Sequence, residues 1–359
     1  MSEAAMSRDP PLPPGPIGGP GAWRGAGMAA RRDWIHELDP AEIAEIEGAV
    51  RAHLAAGRSM AEIAPATFPL PTLAPRLAAI LEELLHGRGF ALLRGLPVER
   101  WTIAESAAAY LGIGAHLGSF RSQNAKGHLL GHVRDLGLDI RDPNVRYYQT
   151  SRALEYHTDS CDVVGLLCLR TAKRGGESRI VSSVTLHDEM LRRAPELWRA
   201  LFNPFPVDRR GEVPPGMLPW FELPVFNWYA ERLTTIYTGQ YIRSAQANFP
   251  QARRLTEAEH AALDMLDALA NEPALNLPME FRPGDMQFLH NHQVLHSRGD
   301  FEDWPEPERR RHLLRLWLAP KQGRPLPPAF AQRYGSVTPG DRGGIVTRGT
   351  TLKFVLEPE

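Results

Sequence analysis

In the first third of the chain, apolar residues recur at helical spacing; beyond about residue 128 they gather instead in short runs separated by turns. The first pattern predicts helices. Asp39-Pro40-Ala41-Glu42 has the form of a capping box with proline in the first turn, opening a helix to about Ala56. A second helix is expected from about Pro75 to His86, with Leu77, Ile80, Leu81, Leu84 and Leu85 on one face. The glycine-bounded run Phe90-Ala91-Leu92-Leu93-Arg94 reads as a buried strand. Thr102-Ile103-Ala104-Glu105 caps a third helix that should end near Gly112 and Gly114.

The second pattern predicts strands at residues 128–133, 163–169, 180–184, 233–237, 286–290, 312–318 and 352–356. Gly175-Gly176 and Pro283-Gly284-Asp285 are among the turns that separate them. One helical insertion, opened by Thr256-Glu257-Ala258-Glu259, spans about 256–271. Many short strands with a few helices suggest an α+β chain built on a β-sandwich or jelly roll. Residues 1–31, rich in proline and glycine from about residue 8, are expected to form a disordered leader. Residues 32–359 are expected to form one domain, with helices from about 39 to 115 packed on a core from about 85 to 320 and a C-terminal extension from 321 to 359.

Composition excludes several classes. Lysine and arginine number 41 against 42 aspartates and glutamates, so overall charge supports neither a nucleic acid nor a membrane partner. Two cysteines, Cys161 and Cys168, cannot make a disulfide framework and fit a reducing cytoplasm. The longest strongly apolar run, Val163 to Leu169, is far too short to span a bilayer.

The candidate chemistry starts at His157-Thr158-Asp159. On an extended segment, residues two apart point to the same face. An imidazole and a carboxylate on one face, joined by a second imidazole, form the triad of non-haem Fe(II) oxygenases. With 13 histidines in the chain, roughly one such pair is expected by chance, so context has to carry it. Downstream, His290, His292 and His296 are all candidate third ligands, and spacing alone does not rank them. Arg315 lies inside the apolar run 312–318, where an unpaired charge is costly. It shares strand parity with Arg311, and a planar guanidinium suits a carboxylate. A structural ion pair is the bland alternative.

Together, Tyr156-His157-Thr158-Asp159, Gly175-Gly176-Glu177-Ser178, the stretch from Asn291 through His296 to Arg298, and Arg311 to Arg315 resemble the taurine dioxygenase-like (TauD/TfdA) family. The resemblance covers roughly residues 85–320. It implies a double-stranded β-helix, or jelly roll, with flanking and inserted helices. It also implies Fe(II), 2-oxoglutarate and O2 as reaction partners, and an oxygenase that hydroxylates a small molecule with release of succinate and CO2. His157, Asp159 and His296 match the metal ligands, the last because the family places an asparagine five residues before it, as Asn291 stands here. Arg315 matches the arginine on the far carboxylate of 2-oxoglutarate, and Arg311 matches a second arginine near co-substrate and substrate. Ser178 holds the hydroxyl position on that carboxylate, with serine where threonine is common.

Substrate contacts are sought just before the ligand pair, at Tyr147, Tyr148, Gln149 and Arg152, and in an earlier loop at Gln123 and Asn124. Arg298 either faces the pocket or braces its strand. The aromatic stretch Trp220, Phe221, Phe226, Trp228 and Tyr229 forms a substrate wall or a core hairpin. By family analogy and from the spare arginines, an amino-acid-like or carboxylated substrate is favoured, and homo-oligomerisation is left open. A jelly-roll metalloenzyme without 2-oxoglutarate would have no need of Arg315. A zinc hydrolase would carry short-spaced histidines on a helix, which are absent. A non-catalytic binding protein would tolerate loss of a ligand.

Overall fold

A computed structural model describes residues 10–140 and 145–358. The Asp39 capping box forms: Asp39 Oδ1 accepts from the N–H groups of Ala41 and Glu42 at 2.8 and 2.9 Å, and Glu42 accepts from Asp39 N–H at 3.0 Å. The helix it opens spans Pro40–Ala55. Ala74–His86 buries the five predicted residues from Leu77 to Leu85. The third helix, Ile103–Leu117, runs through Gly112 and Gly114 instead of ending there. Those glycines serve close approach. A Cβ on Gly112 would sit 2.2 Å from the Phe68 ring, and one on Gly114 would sit 2.6 Å from Leu316 Cδ1.

These three helices cover one face of a seven-stranded sheet. Its order is Ile35–Glu37, Phe90–Arg94, Met286–His290, Val163–Arg170, His312–Ala319 and Ser119–Phe120, with Gly131–Val133 also on His312–Ala319. Strand parity divides the sheet between two cores. Ala91, Leu93, Leu314, Leu316 and Leu318 face the helices. Phe90, Leu92, Val164, Leu289 and Trp317 face inward, where Ile180, Leu277, Met279 and Val294 of a second sheet meet them. That second sheet has the order Leu277–Met279, Ser178–Ser182, Val294–Arg298 and Leu154–His157. Its outer face, with Tyr156, Val181 and Leu295, packs on the Ser183–Arg193 and Glu257–Asn271 helices. No helix among the described residues is long and apolar enough to cross a membrane.

Three further expectations need correction. The run 180–184 leaves its strand after Ser182, whose Oγ accepts from Thr185 N–H at 3.0 Å and so caps a helix. Residues 352–356 form no strand beyond a single bridge from Lys353 to His128. From residue 10 onward the leader is docked, not disordered; residues 1–9 lie outside the described residues. Ile17 and Gly18 N–H donate to the Asp188 carboxylate at 2.8 and 2.9 Å, and Trp23 and Met28 are buried in the core between the sheets. A proline- and glycine-rich segment cannot make its own core, but two large apolar side chains let it share one.

A buried chain of polar groups ties the C-terminal segment to the larger sheet. Arg170 Nη2 lies 3.3 Å from His312 Nδ1, His312 Nε2 lies 2.8 Å from His132 Nδ1, and His132 Nε2 lies 2.9 Å from Val355 O. Arginine only donates, so proton order along the chain requires both imidazoles neutral. Burial first, then the neighbouring His132 and arginines, push the His312 pKa down to about 3. A depressed folded-state pKa means the unfolded chain binds more protons between about pH 3 and 6.5, so stability falls as pH drops through that window. At pH 5 the expected loss is about 2 kcal/mol from this group. Melting temperature should therefore decline from pH 7.5 to 5, and less steeply in His312→Gln. An unchanged slope in that variant would remove His312 as the cause.

Candidate metal centre and active-site cleft

His157 ends the Leu154–His157 strand directly opposite His296 in the antiparallel register, with ring centroids 4.2 Å apart. Asp159 follows on the inner side of the same turn, which Thr158 fixes by exchanging hydrogen bonds with the Tyr237 backbone at 2.8 and 2.9 Å. His157 Nε2 lies 3.8 Å from Asp159 Oδ1, and His296 Nε2 lies 3.9 Å from Asp159 Oδ2. One donor atom from each residue lies within 4.8 Å of the others.

His157 Nδ1 faces the Glu155 carbonyl at 2.8 Å, so that nitrogen carries the proton and Nε2 presents its lone pair to the cluster. Burial lowers the pKa of both histidines, that of His296 to about 3, so both are neutral near pH 7. Burial opposes ionisation of Asp159, but Arg315, the two imidazoles and the Trp317 N–H together hold its carboxyl below the ordinary range. Two neutral imidazoles and a carboxylate on one face are the donor set that fits Fe(II) with positions left open.

The carboxylate is braced on one oxygen. Trp317 Nε1–H donates to Asp159 Oδ2 at 2.8 Å, and Arg315 Nη1 approaches the same oxygen at 3.4 Å. Asn291 Oδ1 accepts from Asp159 N–H at 3.0 Å. Oδ1 receives neither of these donors and would be the oxygen open to a metal. Trp317→Phe should weaken Fe(II) affinity about 10- to 100-fold with the fold retained, as read by metal titration of the apo-protein. Unchanged affinity would show that the indole only packs.

His290 and His292 stand elsewhere. His292 Nε2 pairs with the buried Asp162 at 2.7 Å, and Arg342 holds the same carboxylate at 2.9 Å. His290 Nδ1 faces Arg324 Nη2 at 3.3 Å, and burial beside that cation drives its pKa well below 6.5. Of the three downstream histidines, the structure brings only His296 to His157 and Asp159.

Behind the cluster lies a small cavity lined by His157, His296, Ser178, Arg298, Arg311 and Arg315. Ser178 and Arg298 are direct cross-strand neighbours. Nε and Nη1 of Arg298 and Nη1 of Arg311 are buried without a hydrogen-bond partner. Burial lowers the pKa of Arg298 to about 9 and that of Arg311 to about 10, so both remain cationic near pH 7. Arg298 also donates through Nη2 to the carbonyls of Thr150 and Arg152, so it both braces its strand and faces the cavity. Arg315 stands between this cavity and a larger cleft. Its Nε–H donates to Gln123 Oε1 at 2.7 Å, and its guanidinium lies between Tyr148 and Trp317, at 4.8 and 5.0 Å from their ring centroids.

The sequence profile described as taurine catabolism dioxygenase TauD, TfdA family matches residues 53–317. The chain belongs to this family. FR-33289 synthase of Streptomyces rubellomurinus is 32% identical over 89% of this chain and 95% of its own length. The taurine hydroxylase-like protein SAT17 of Stachybotrys chartarum is 28% identical over 82% of this chain and 77% of its own. Among solved structures, asparagine oxygenase in complex with Fe(II), 2S,3S-3-hydroxyasparagine and succinate superposes with a TM-score of 0.61 at 18% identity, covering 79% of this chain and 93% of that one. The non-haem iron oxygenase OrfP in complex with Fe and alpha-ketoglutaric acid superposes at 0.59 and 16% identity, with the same coverage. These two likenesses are of fold.

This TauD/TfdA-family chain is accordingly an Fe(II)- and 2-oxoglutarate-dependent dioxygenase. Iron, when bound there, would supply the coupling between oxidative decarboxylation of 2-oxoglutarate and oxidation of a substrate C–H bond. The dioxygenase opens on the triad through the larger cleft, which Gln123, Tyr147 and Tyr148 line as expected. Gln149 and Asn124 line an adjoining cleft, but both are tied into their own loops: Gln149 Oε1 accepts from Arg146 N–H at 3.0 Å, and Asn124 Oδ1 from His128 N–H at 3.3 Å. Arg152 is exposed and lines neither cleft, which corrects its placement among substrate residues; it sits in a bend before the Leu154–His157 strand, where no strand periodicity aims its side chain. The aromatic stretch divides between two hairpins. Phe221 reaches the cleft wall, Phe226 is fully buried in the outer core, and Tyr229 is exposed.

Sequence reasoning missed Arg146, Glu212, Tyr241 and Arg333 in the cleft and Trp317 on the metal carboxylate. For Trp317 a signal existed, because it shares parity with Arg315 on one strand. The others reach the cleft from loops, a short helix and the C-terminal extension, where no periodicity predicts direction.

Proposed function

We propose that this dioxygenase holds iron on His157, Asp159 and His296 and hydroxylates a small amino-acid-like or carboxylated molecule in the cleft beside them. Ser178, Arg311 and Arg298 grip the far carboxylate of 2-oxoglutarate, and Arg315 stands at the border of co-substrate and substrate while steadying Asp159. The observation that carries this reading is the cavity behind the triad, where buried guanidinium N–H groups lack partners. Buried unpaired cations are costly, and a dicarboxylate with one end at the metal would satisfy them. Relative to the expectation from sequence, the two strand arginines exchange emphasis. Both line the cavity with Ser178, but Arg315 already has Gln123 and Asp159, whereas Arg311 keeps an unpartnered Nη1.

A metalloenzyme that used no 2-oxo acid would have no need of this cradle. The two facing sheets are read as the halves of a double-stranded β-helix. The N-terminal helices and the C-terminal extension are read as parts of the same folded unit, because both pack on it, and the cytoplasm is the compartment that two buried free thiols suit. Fold neighbours solved in complex with hydroxyasparagine and hydroxyarginine favour an amino-acid-like substrate.

The test is spectroscopic. Anaerobic apo-protein should develop a weak visible charge-transfer band only when Fe(II) and 2-oxoglutarate are both present. No band with both present would overturn the co-substrate assignment. Metabolites can then be ranked by stimulated succinate release.

A further inference from the structure

One cation in the cleft has no part in holding iron or 2-oxoglutarate. Arg333 lies on the short helix Ala331–Tyr334, beyond residue 317 where the family profile ends. Its Nε–H donates to Ser160 Oγ at 2.7 Å, and its guanidinium lies over the Phe221 ring, 5.5 Å from the centroid. Two contacts on different sides of the group hold the fork in place. The residue lines the cleft, and among the described residues no carboxylate forms an ion pair with it.

Glu212, the carboxylate whose charge acts on Arg333, and Asp208 both line the cleft and are otherwise engaged. Glu212 pairs with Arg146 at 3.5 Å, and Asp208 accepts from Ser244 Oγ–H and Arg210 N–H at 2.6 and 2.7 Å. The tether also locates the fork: Ser160, the residue after Asp159, lines the same cleft as His157 and Asp159, so Arg333 is held on the wall of the cleft onto which the triad opens. An arginine whose Nε is occupied keeps an outer edge of N–H donors spaced for an oxyanion.

We infer that Arg333 is a specificity-determining residue whose outer N–H edge binds a compact oxyanion of the substrate, a carboxylate or a tetrahedral oxyacid group. Anchoring that group on the cleft wall would leave the rest of the substrate to face His157 and Asp159 across the same cleft. A neutral amide in place of the oxyanion leaves the arginine unpaired, which is a strong basis for rejection.

This inference rests on the oxygenase reading above, and the experiment separates the two. Enzyme loaded anaerobically with Fe(II) and 2-oxoglutarate is titrated with acetate, methylphosphonate and methanesulfonate, and with neutral acetamide as the control; the shift of the charge-transfer band is followed. At least one anion should shift the band at millimolar concentration where acetamide does not, and the most effective one identifies the oxyanion class. Arg333→Gln should raise its half-saturating concentration at least tenfold. Arg333→Lys, which keeps the charge but loses the fork, should fall between. The band before titration shows that each variant is folded and loaded. If no anion outperforms acetamide, or if Arg333→Gln keeps the wild-type half-saturation while only its melting temperature falls, Arg333 is structural and the inference is wrong. Absence of the band from the wild-type protein would overturn the co-substrate reading, and this inference with it.

Discussion

His296→Ala should eliminate the charge-transfer band and turnover, whereas His292→Ala should keep the band and lose stability. The two histidines are four residues apart, and both are buried. His296 Nε2 lies 3.9 Å from Asp159 Oδ2, its cluster donor atom lies within 4.8 Å of those of Asp159 and His157, and among the described residues it has no salt partner beyond the cluster. Removing a group that merely supports a ligand costs roughly 10- to 100-fold in metal affinity, so removing a ligand should cost more than about 100-fold. His292 Nε2 instead serves Asp162, which is fully buried and also held by Arg342. Truncating it deletes one hydrogen bond to a buried charge, a loss of about 1–3 kcal/mol. Metal titration and chemical denaturation of both variants read the two effects separately. An intact band in His296→Ala, or a lost one in a folded His292→Ala, would reverse the assignment.

Arg311→Gln should raise the dissociation constant for 2-oxoglutarate far more than Arg315→Gln does. Arg311 is buried, faces the cavity shared with Ser178, and has an Nη1 without a partner. Losing one member of a buried charge pair costs about 2–5 kcal/mol in binding, or roughly 30- to several-thousand-fold. Arg315 has Gln123 on its Nε and Asp159 near its Nη1, so its replacement should act first on iron affinity and on coupling of succinate release to substrate oxidation. Titrating 2-oxoglutarate into the anaerobic Fe(II) protein and following the band gives both constants. Equal losses, or a larger loss in Arg315→Gln, would restore the arginine order that sequence resemblance suggests.

Much of the local structure was legible in the chain. Asp39, Thr102 and Thr256 with their partner glutamates three residues on announced three helix starts, because a capping box is satisfied within four residues and needs no tertiary support. Misreadings arose where a residue answers to distant neighbours. Gly112 and Gly114 looked like a helix end but serve contacts with Phe68 and Leu316. The leader looked disordered by composition, yet Trp23 and Met28 enter a core built by strands from far along the chain.

At the site, the sequence by itself determined the donor types, their order and the reaction family. A His-x-Asp pair, a later histidine and strand arginines are chemical facts of the chain, and two-residue periodicity already sets which of them share a face. Family resemblance had already pointed to His296; only the tertiary structure set it against His157 and Asp159, left Arg298 and Arg311 with unpartnered donors in the cavity with Ser178, and brought Arg333 into the cleft. Those choices depend on register between strands more than a hundred residues apart, as His157 opposite His296, and on a C-terminal segment whose direction no local pattern encodes. Burial then does the rest: it keeps His296 neutral and leaves guanidinium donors waiting for an anion, and burial is a property of the packed chain.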